Sequence, residues 1–289
     1  MRAEVFRFAP HLGLFQPGPG LFHHTAGLDP VDQISFIADQ GFTAVQDNFL
    51  RLREHRVQER IGAALAQRGM TMGSFVATLA FDRPTYGSDD PSAVEFLRQS
   101  MRESLDAAKR VNSKWLTTIP GLQLTAVAID RQRETAISNL RRCAEEAEKA
   151  GAVLLLEALN KIDRPGMLFS KIVEAGEIVR AVDSAACRLV FDVYHVQVES
   201  GDLIRNIDRC WTEIGYFQIA DNPGRFEPGT GEINFGRVLS HIHNRGYRGL
   251  IDMEHKLKVD SAAGEMAMLE AYRRLEHDAK VFLTPSTQE

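Results

Sequence analysis

Four oxygen-bearing side chains stand at the ends of four successive apolar runs. Glu157 follows "VLLL", Asp192 follows "RLVF", Gln218 lies within "YFQIA", and Glu254 follows "LIDM". Three carboxylates brought together in a protein interior lose hydration and repel one another, so protons or a cation must neutralise them. With the amide oxygen of Gln218 they form a hard, oxygen-only donor set. That set suits Mg²⁺ or Mn²⁺ better than Zn²⁺, which favours His and Cys, and it leaves positions open to substrate oxygens. The competing reading makes each acid a lone solvent-facing residue at a strand mouth. Corresponding positions on four successive runs argue against it.

The elements that must position these residues repeat along the chain. Short apolar runs ("FRFAPHLGLF", "FTAVQDN", "TMGSFVATL", "KWLTTIPG", "AVLLLEALN", "RLVFDVYH", "YFQIAD", "GLIDMEH") alternate with longer amphipathic segments such as "AVEFLRQSMRESLDAAKRV" and "GDLIRNIDRC". Eight strands each followed by a helix imply parallel pairing, because only a crossover helix returns the chain to the same end. The expected fold is α/β, a single (β/α)8 TIM barrel over residues 1–282 with a flexible C-terminal tail at 283–289. A doubly wound open sheet is the rival, but the first strand lacks a G-x-G-x-x-G turn. In such barrels chemistry collects where strands end, so the four oxygen donors should converge.

Composition narrows the function classes. The 289 residues are 44% hydrophobic and 25% charged, with a formal net charge of −5 and no Lys/Arg block. A nucleic-acid partner is therefore not expected, since such a partner selects a cationic surface. No run of about 18 apolar residues suggests a membrane span. The opening "MRAEVFRFAPHLGLF" does not read as a signal peptide. The three scattered cysteines make no C-x-x-C pair, so no disulfide framework is expected, and the expected location is cytoplasmic.

The motifs "LLLEALN", "FDVYHVQ", "GDLIRNI", "QIADNPGRFEPGTGEINF" and "GYRGLIDMEHK" resemble those of the hydroxypyruvate isomerase family. That family lies within the xylose-isomerase-like barrel superfamily, which also holds ketose 3-epimerases and the endonuclease IV type of repair enzyme. The resemblance is concentrated between residues 150 and 258, and "ADNPGRFEPGTGEIN" is its most specific piece. It implies that Glu157, Asp192, Gln218 and Glu254 bind one divalent metal, and that Glu157 and Glu254 act as the acid/base pair. It further implies that His195 and Arg225 contact substrate. His11, at the first strand, and Lys256, in the last motif, join them as candidate contacts. The 3-epimerases resemble one another in having His as third ligand, so Gln218 places this chain nearer the hydroxypyruvate-isomerase branch. Departures from the family pattern bear on substrate identity: Ala158 where Pro is frequent, His255-Lys256-Leu257 after strand eight, "VQDN" ending strand two, and a long first loop.

The implied function is metal-dependent isomerisation of a small α-hydroxy-carbonyl substrate, a hydroxypyruvate-like oxo acid or a sugar, through an enediolate. Re-protonation of the same carbon from its other face would instead make a ketose 3-epimerase of the same site. A phosphodiesterase of abasic DNA would need more His ligands and a basic face, and a non-catalytic sugar-binding barrel would not need the ligand set. A homo-oligomer is compatible with the resemblance. Beyond these, Asp47 at strand two, Asn160 beside Glu157, Phe81 and Tyr86 after strand three, and the His23–His24 pair in the first loop are secondary candidates. Asp47 is placed to reach substrate, Asn160 to orient Glu157, the two aromatics to select substrate size, and the His pair to form a lid or subunit contact.

Overall fold

The computed structural model describes residues 5–283. In chain order the elements are β1 (Arg7–Pro10), α1 (His23–Ala26), α2 (Pro30–Asp39), β2 (Ala44–Val45), a 3-10 turn (Leu50–Leu52), α3 (His55–Arg68), β3 (Thr71–Met72), β4 (Phe75–Thr78), α4 (Pro91–Val111) and β5 (Trp115–Thr118). They continue as α5 (Ile129–Lys149), β6 (Val153–Glu157), α6 (Ile172–Val182), β7 (Cys187–Asp192), α7 (Val193–Glu199), α8 (Leu203–Arg209), β8 (Ile214–Ile219), α9 (Phe235–Asn244), β9 (Leu250–Met253) and α10 (Ala262–Lys280). Of the tail set at 283–289, only Leu283 falls within the described residues.

All strand pairs are parallel, and seven strands run in the order β1-β9-β8-β7-β6-β5-β4. β2 and β3 pair separately, and the gap on each side is closed by single hydrogen bonds. Gln46 N–H donates to Pro10 O at 2.9 Å, Leu12 N–H donates to Gln46 O at 2.7 Å, and Val76 N–H donates to Asn48 O at 3.1 Å. The strands form a closed (β/α)8 TIM barrel, with the third stave split into β3 and β4.

That split has a local cause. A Cβ built at Gly73 would lie 2.7 Å from Tyr216 Oη and 2.8 Å from Asp252 Oδ1, so only glycine lets the stave pass this close to the barrel interior. Two further details depart from one helix per strand. The apolar run "RLVFDVYH" leaves the sheet at Asp192, whose carboxylate caps α7 by accepting from Tyr194 N–H at 2.8 Å and His195 N–H at 3.3 Å. The helix read as "GDLIRNIDRC" is α8, so two helices follow the sixth stave. The long first loop carries the short α1.

The period of two along each strand divides the apolar residues into two sets. Leu154, Leu156, Leu189, Phe191, Phe217, Ile219, Ile251 and Met253 face the helices in the main core. Ala9, Ala44, Leu155, Val190, Tyr216 and Leu250 fill the barrel interior, with Trp115 against Tyr216 at 5.2 Å between ring centroids. Above this plug the interior turns polar. Buried Asp252 accepts from Ser74 Oγ at 2.6 Å and from Tyr216 Oη at 2.7 Å.

Candidate active site and metal centre

The same parity that buries Leu155, Val190, Tyr216 and Leu250 inside the barrel carries forward to Glu157, Asp192, Gln218 and Glu254. Each is two residues beyond an interior residue, or two beyond Asp252 in the case of Glu254. Register adds to this, since Asp192 and Gln218 are direct neighbours on β7 and β8. All four side chains are buried, and Glu157 and Glu254 line a cavity of about 310 Å³ at the strand ends.

Arg225 joins the acids. Its Nη2 lies 3.1 Å from Asp192 Oδ2 and 3.2 Å from Glu254 Oε1, and its Nε donates to Glu254 O at 3.2 Å. The loop that delivers it is tied down by a buried carboxylate. Asp221 accepts from the backbone N–H groups of Asn222 (2.9 Å), Gly229 (2.9 Å), Gly231 (2.8 Å) and Ile233 (3.1 Å). Within that clamp Arg225 takes a left-handed backbone, φ 57°, which costs a non-glycine residue free energy that the surrounding structure must supply. The segment "DNPGRFEP" is thus a perch for one guanidinium.

His195 sits two to three residues into α7 with both ring nitrogens engaged. Asn160 presents its backbone N–H at 3.2 Å and its side-chain NH₂ at 2.6 Å to Nδ1. The Asn160 orientation is set by Asp163, whose N–H donates to Asn160 Oδ1 at 2.8 Å. Two donors facing Nδ1 assign the lone pair to it and the proton to Nε2. Nε2 lies 3.9 Å from Glu157 Oε1, 3.8 Å from Asp192 Oδ2 and 2.9 Å from Arg225 Nη1. Burial, with the charges of Arg225 and Arg164, holds the imidazole pKa well below 6.5, so the ring is neutral. Burial pushes the acids the other way. Asp192 rises to about 7 in spite of Arg225, Glu157 rises well above 4.5 with added repulsion from Glu254 and Asp192, and Glu254 rises against the pull of Arg225 and Asn48.

The remaining candidates divide. His11 is buried with Nε2 against His255 O at 3.0 Å, and with Lys256 it lines a neighbouring pocket of about 290 Å³ rather than the acid-lined cavity. The Lys256 ammonium lies over the Phe226 ring at 4.7 Å. Asp47 is buried and paired with Arg53 Nε at 2.5 Å, and it is not among the residues lining the acid-containing cavity. Asn160 serves His195 rather than Glu157. Phe81 lines the cavity, whereas Tyr86 is buried with its hydroxyl on Thr118 Oγ1 at 2.7 Å. His23 and His24 gather on Asp260 at the mouth of the neighbouring pocket. Three contributors escaped the sequence reading: Asn48, whose Nδ2 donates to Glu254 Oε1 at 2.6 Å, the clamp Asp221, and Arg164 on the cavity wall.

The residues fit a divalent cation. Gln218 Oε1 and Glu254 Oε2 are buried oxygens with no hydrogen-bond partner among the described residues, a costly state that a cation would relieve. A carboxylate oxygen of Glu157 and one of Asp192 lie within 4.8 Å of each other, close enough to share one ion, with the His195 ring beside them.

Comparison with known proteins identifies the family. Residues 34–273 match the family model described as the xylose isomerase-like TIM barrel. The chain is 30% identical to the hydroxypyruvate isomerase of Escherichia coli (strain K12) over 63% of its length and 70% of the relative's. It is 29% identical to a 2-oxo-tetronate isomerase of Cupriavidus necator over 81% of its length and 90% of the relative's. Among solved structures, AP endonuclease family 2 from Brucella melitensis superposes with a TM-score of 0.79 at 24% identity, covering 92% of this chain and 98% of that one; this likeness concerns the fold. From its strand-end acids to its matched length, the chain belongs to the xylose isomerase-like TIM-barrel family, among the relatives of hydroxypyruvate isomerase.

Proposed function

We propose that this protein is a divalent-metal-dependent isomerase of a small α-hydroxy-carbonyl substrate, with Glu157 and Glu254 moving the proton. The observation that carries the reading is the convergence of both glutamates on one small cavity, where burial raises the pKa of each. A carboxyl whose pKa is raised is a stronger base than an ordinary carboxylate and can both take and return a proton. The relatives named hydroxypyruvate isomerase and 2-oxo-tetronate isomerase support the substrate class.

Glu157, Asp192, Gln218 and Glu254 would hold the cation, Mg²⁺ or Mn²⁺. Bound there, it polarises a carbonyl and acidifies the neighbouring C–H. The Nε2 proton of His195 makes that ring a donor rather than a ligand. Arg225 Nη1 points at the same spot, so two N–H donors face each other across 2.9 Å. A substrate oxygen accepting from both would relieve the mismatch and be oriented by it. One glutamate takes the C–H proton, a proton returns to the adjacent carbon, and the hydroxyl proton passes to the former carbonyl oxygen, which completes isomerisation. Return to the same carbon from the other face would give epimerisation, and product analysis separates the two.

The test is deuterium uptake from D₂O into hydroxypyruvate, followed by NMR in the presence of Mn²⁺. Glu157→Gln or Glu254→Gln should lower exchange by at least about 10³-fold. Exchange at the wild-type rate in both variants would remove the pair from the mechanism.

A further inference from the structure

We propose that Arg164 is the carboxylate-binding residue of the substrate site, and that the site therefore takes small hydroxy-oxo acids rather than neutral sugars. The inference rests on the isomerase reading and adds the substrate's charge to it.

Two guanidinium groups line the acid-containing cavity, Arg164 and Arg225. Their situations differ. Arg225 is already bound to Asp192 and Glu254, so its charge is committed within the site. Arg164 makes no ion pair and no side-chain hydrogen bond among the described residues; its guanidinium lies over the Phe81 ring at 4.4 Å. The ring supports the guanidinium, and no acceptor among the described residues takes its side-chain N–H groups.

The backbone around Arg164 is held. Its N–H donates to Asn160 O at 3.0 Å, and Gln123 N–H donates to Gly166 O at 2.8 Å just beyond it. Asn160 in turn holds His195, so one short segment after β6 places both the donor ring and the free cation. Arg164 lines the same cavity as Glu157 and His195, and its charge acts on both. The intervening wall is apolar: Val76, Leu79, Ile119 and Leu159 offer nothing to the hydroxyls of a long sugar. A planar carboxylate is the substrate group that a guanidinium fork takes bidentately.

The test uses D-glycerate, a hydroxy acid that has no carbonyl to isomerise, so binding is read independently of turnover. Calorimetric titration of the Mn²⁺-loaded protein should show glycerate affinity falling about 10- to 100-fold in Arg164→Gln, the range of a lost charge-assisted interaction. Arg164→Lys, which keeps the charge but not the fork, should fall between that variant and wild type. Manganese uptake in the same titration reports that the acid cluster is intact. Deuterium exchange into hydroxypyruvate is run in parallel, where the Gln variant should raise KM far more than it lowers kcat. Glycerate affinity within twofold of wild type in Arg164→Gln, or no glycerate binding by wild type, overturns the assignment. Glycerate binding that depends on Arg164 without any exchange by wild type sustains the carboxylate site and sinks the isomerase reading instead.

Discussion

Asn160 directs two N–H donors at one atom, Nδ1 of His195, from 3.2 Å and 2.6 Å. The two residues are 35 apart in sequence, Asn160 in the loop after β6 and His195 in the first turn of α7, which follows the neighbouring stave β7. The contact fixes which ring nitrogen carries the proton, and hence whether the ring offers a lone pair or a donor to the cavity.

Asn160→Ala should therefore release the tautomer of His195. One donor, the backbone N–H at 3.2 Å, then remains at Nδ1 against the charged Arg225 Nη1 at 2.9 Å from Nε2, so the Nδ1–H form should become dominant. The expected result is a fall in kcat of about 10- to 100-fold, the usual scale for loss of such an orienting partner. ¹⁵N NMR of the imidazole checks the cause directly. An unchanged tautomer signal together with lowered kcat would show that Asn160 acts some other way.

The raised carboxyl pKa values predict how metal uptake depends on pH. Protons occupy Asp192 up to about pH 7 in the metal-free protein, against an ordinary value of 3.8, because burial outweighs the pull of Arg225. A cation must displace them, so Mn²⁺ affinity should climb about tenfold per pH unit for each proton released and level off above that range. Stability of the metal-free fold runs the opposite way. A carboxyl with a folded pKa above its unfolded pKa contributes stability that is fully present below the unfolded value and is lost as pH rises through the folded one. The metal-free Tm should therefore decline between about pH 4 and pH 7, and Mn²⁺ should restore it most strongly at the alkaline end. Calorimetric scans with and without Mn²⁺ test both halves; a pH-independent metal affinity contradicts the assignment.

Asp221 holds four backbone amides of the loop that bears Arg225. Asp221→Ala leaves those donors without their acceptor and should cost about 2–4 kcal/mol by urea denaturation. Activity should drop further than stability, because the left-handed Arg225 loses its support. Gly231→Ala is a second probe of the same loop, since its new Cβ would collide with the backbone carbonyl of Asn222 and with Asp221 Oδ1 and must push the loop aside. If Asp221→Ala kept full kcat, the perch would not be what orders the guanidinium.

Legibility followed the range of the interaction. Glu157, Asp192 and Glu254 could be found by eye because each ends an apolar run, and strand geometry then dictates that side chains two apart share a face. Gln218 stood out for the same reason, as a polar residue on an interior parity of β8. Asn48, Asp221 and Arg164 gave no such signal. Their importance comes from partners far along the chain, as with Asn48 and Glu254, 206 residues apart. His11 and Lys256 look chemical in sequence, yet the twist of the first and last loops turns them into a separate pocket.

The amino-acid sequence alone determined the alternation of strand and helix, the closure of a barrel, and the set of oxygen donors at its strand ends. Those follow from periodicity, which is a local property of the chain. Only the tertiary structure decided which guanidinium is spent on the acids and which is left free, which nitrogen of His195 holds the proton, and which acid braces the loop rather than the site. Those depend on angles and distances of a few ångströms between residues whose spacing in sequence carries no record of them.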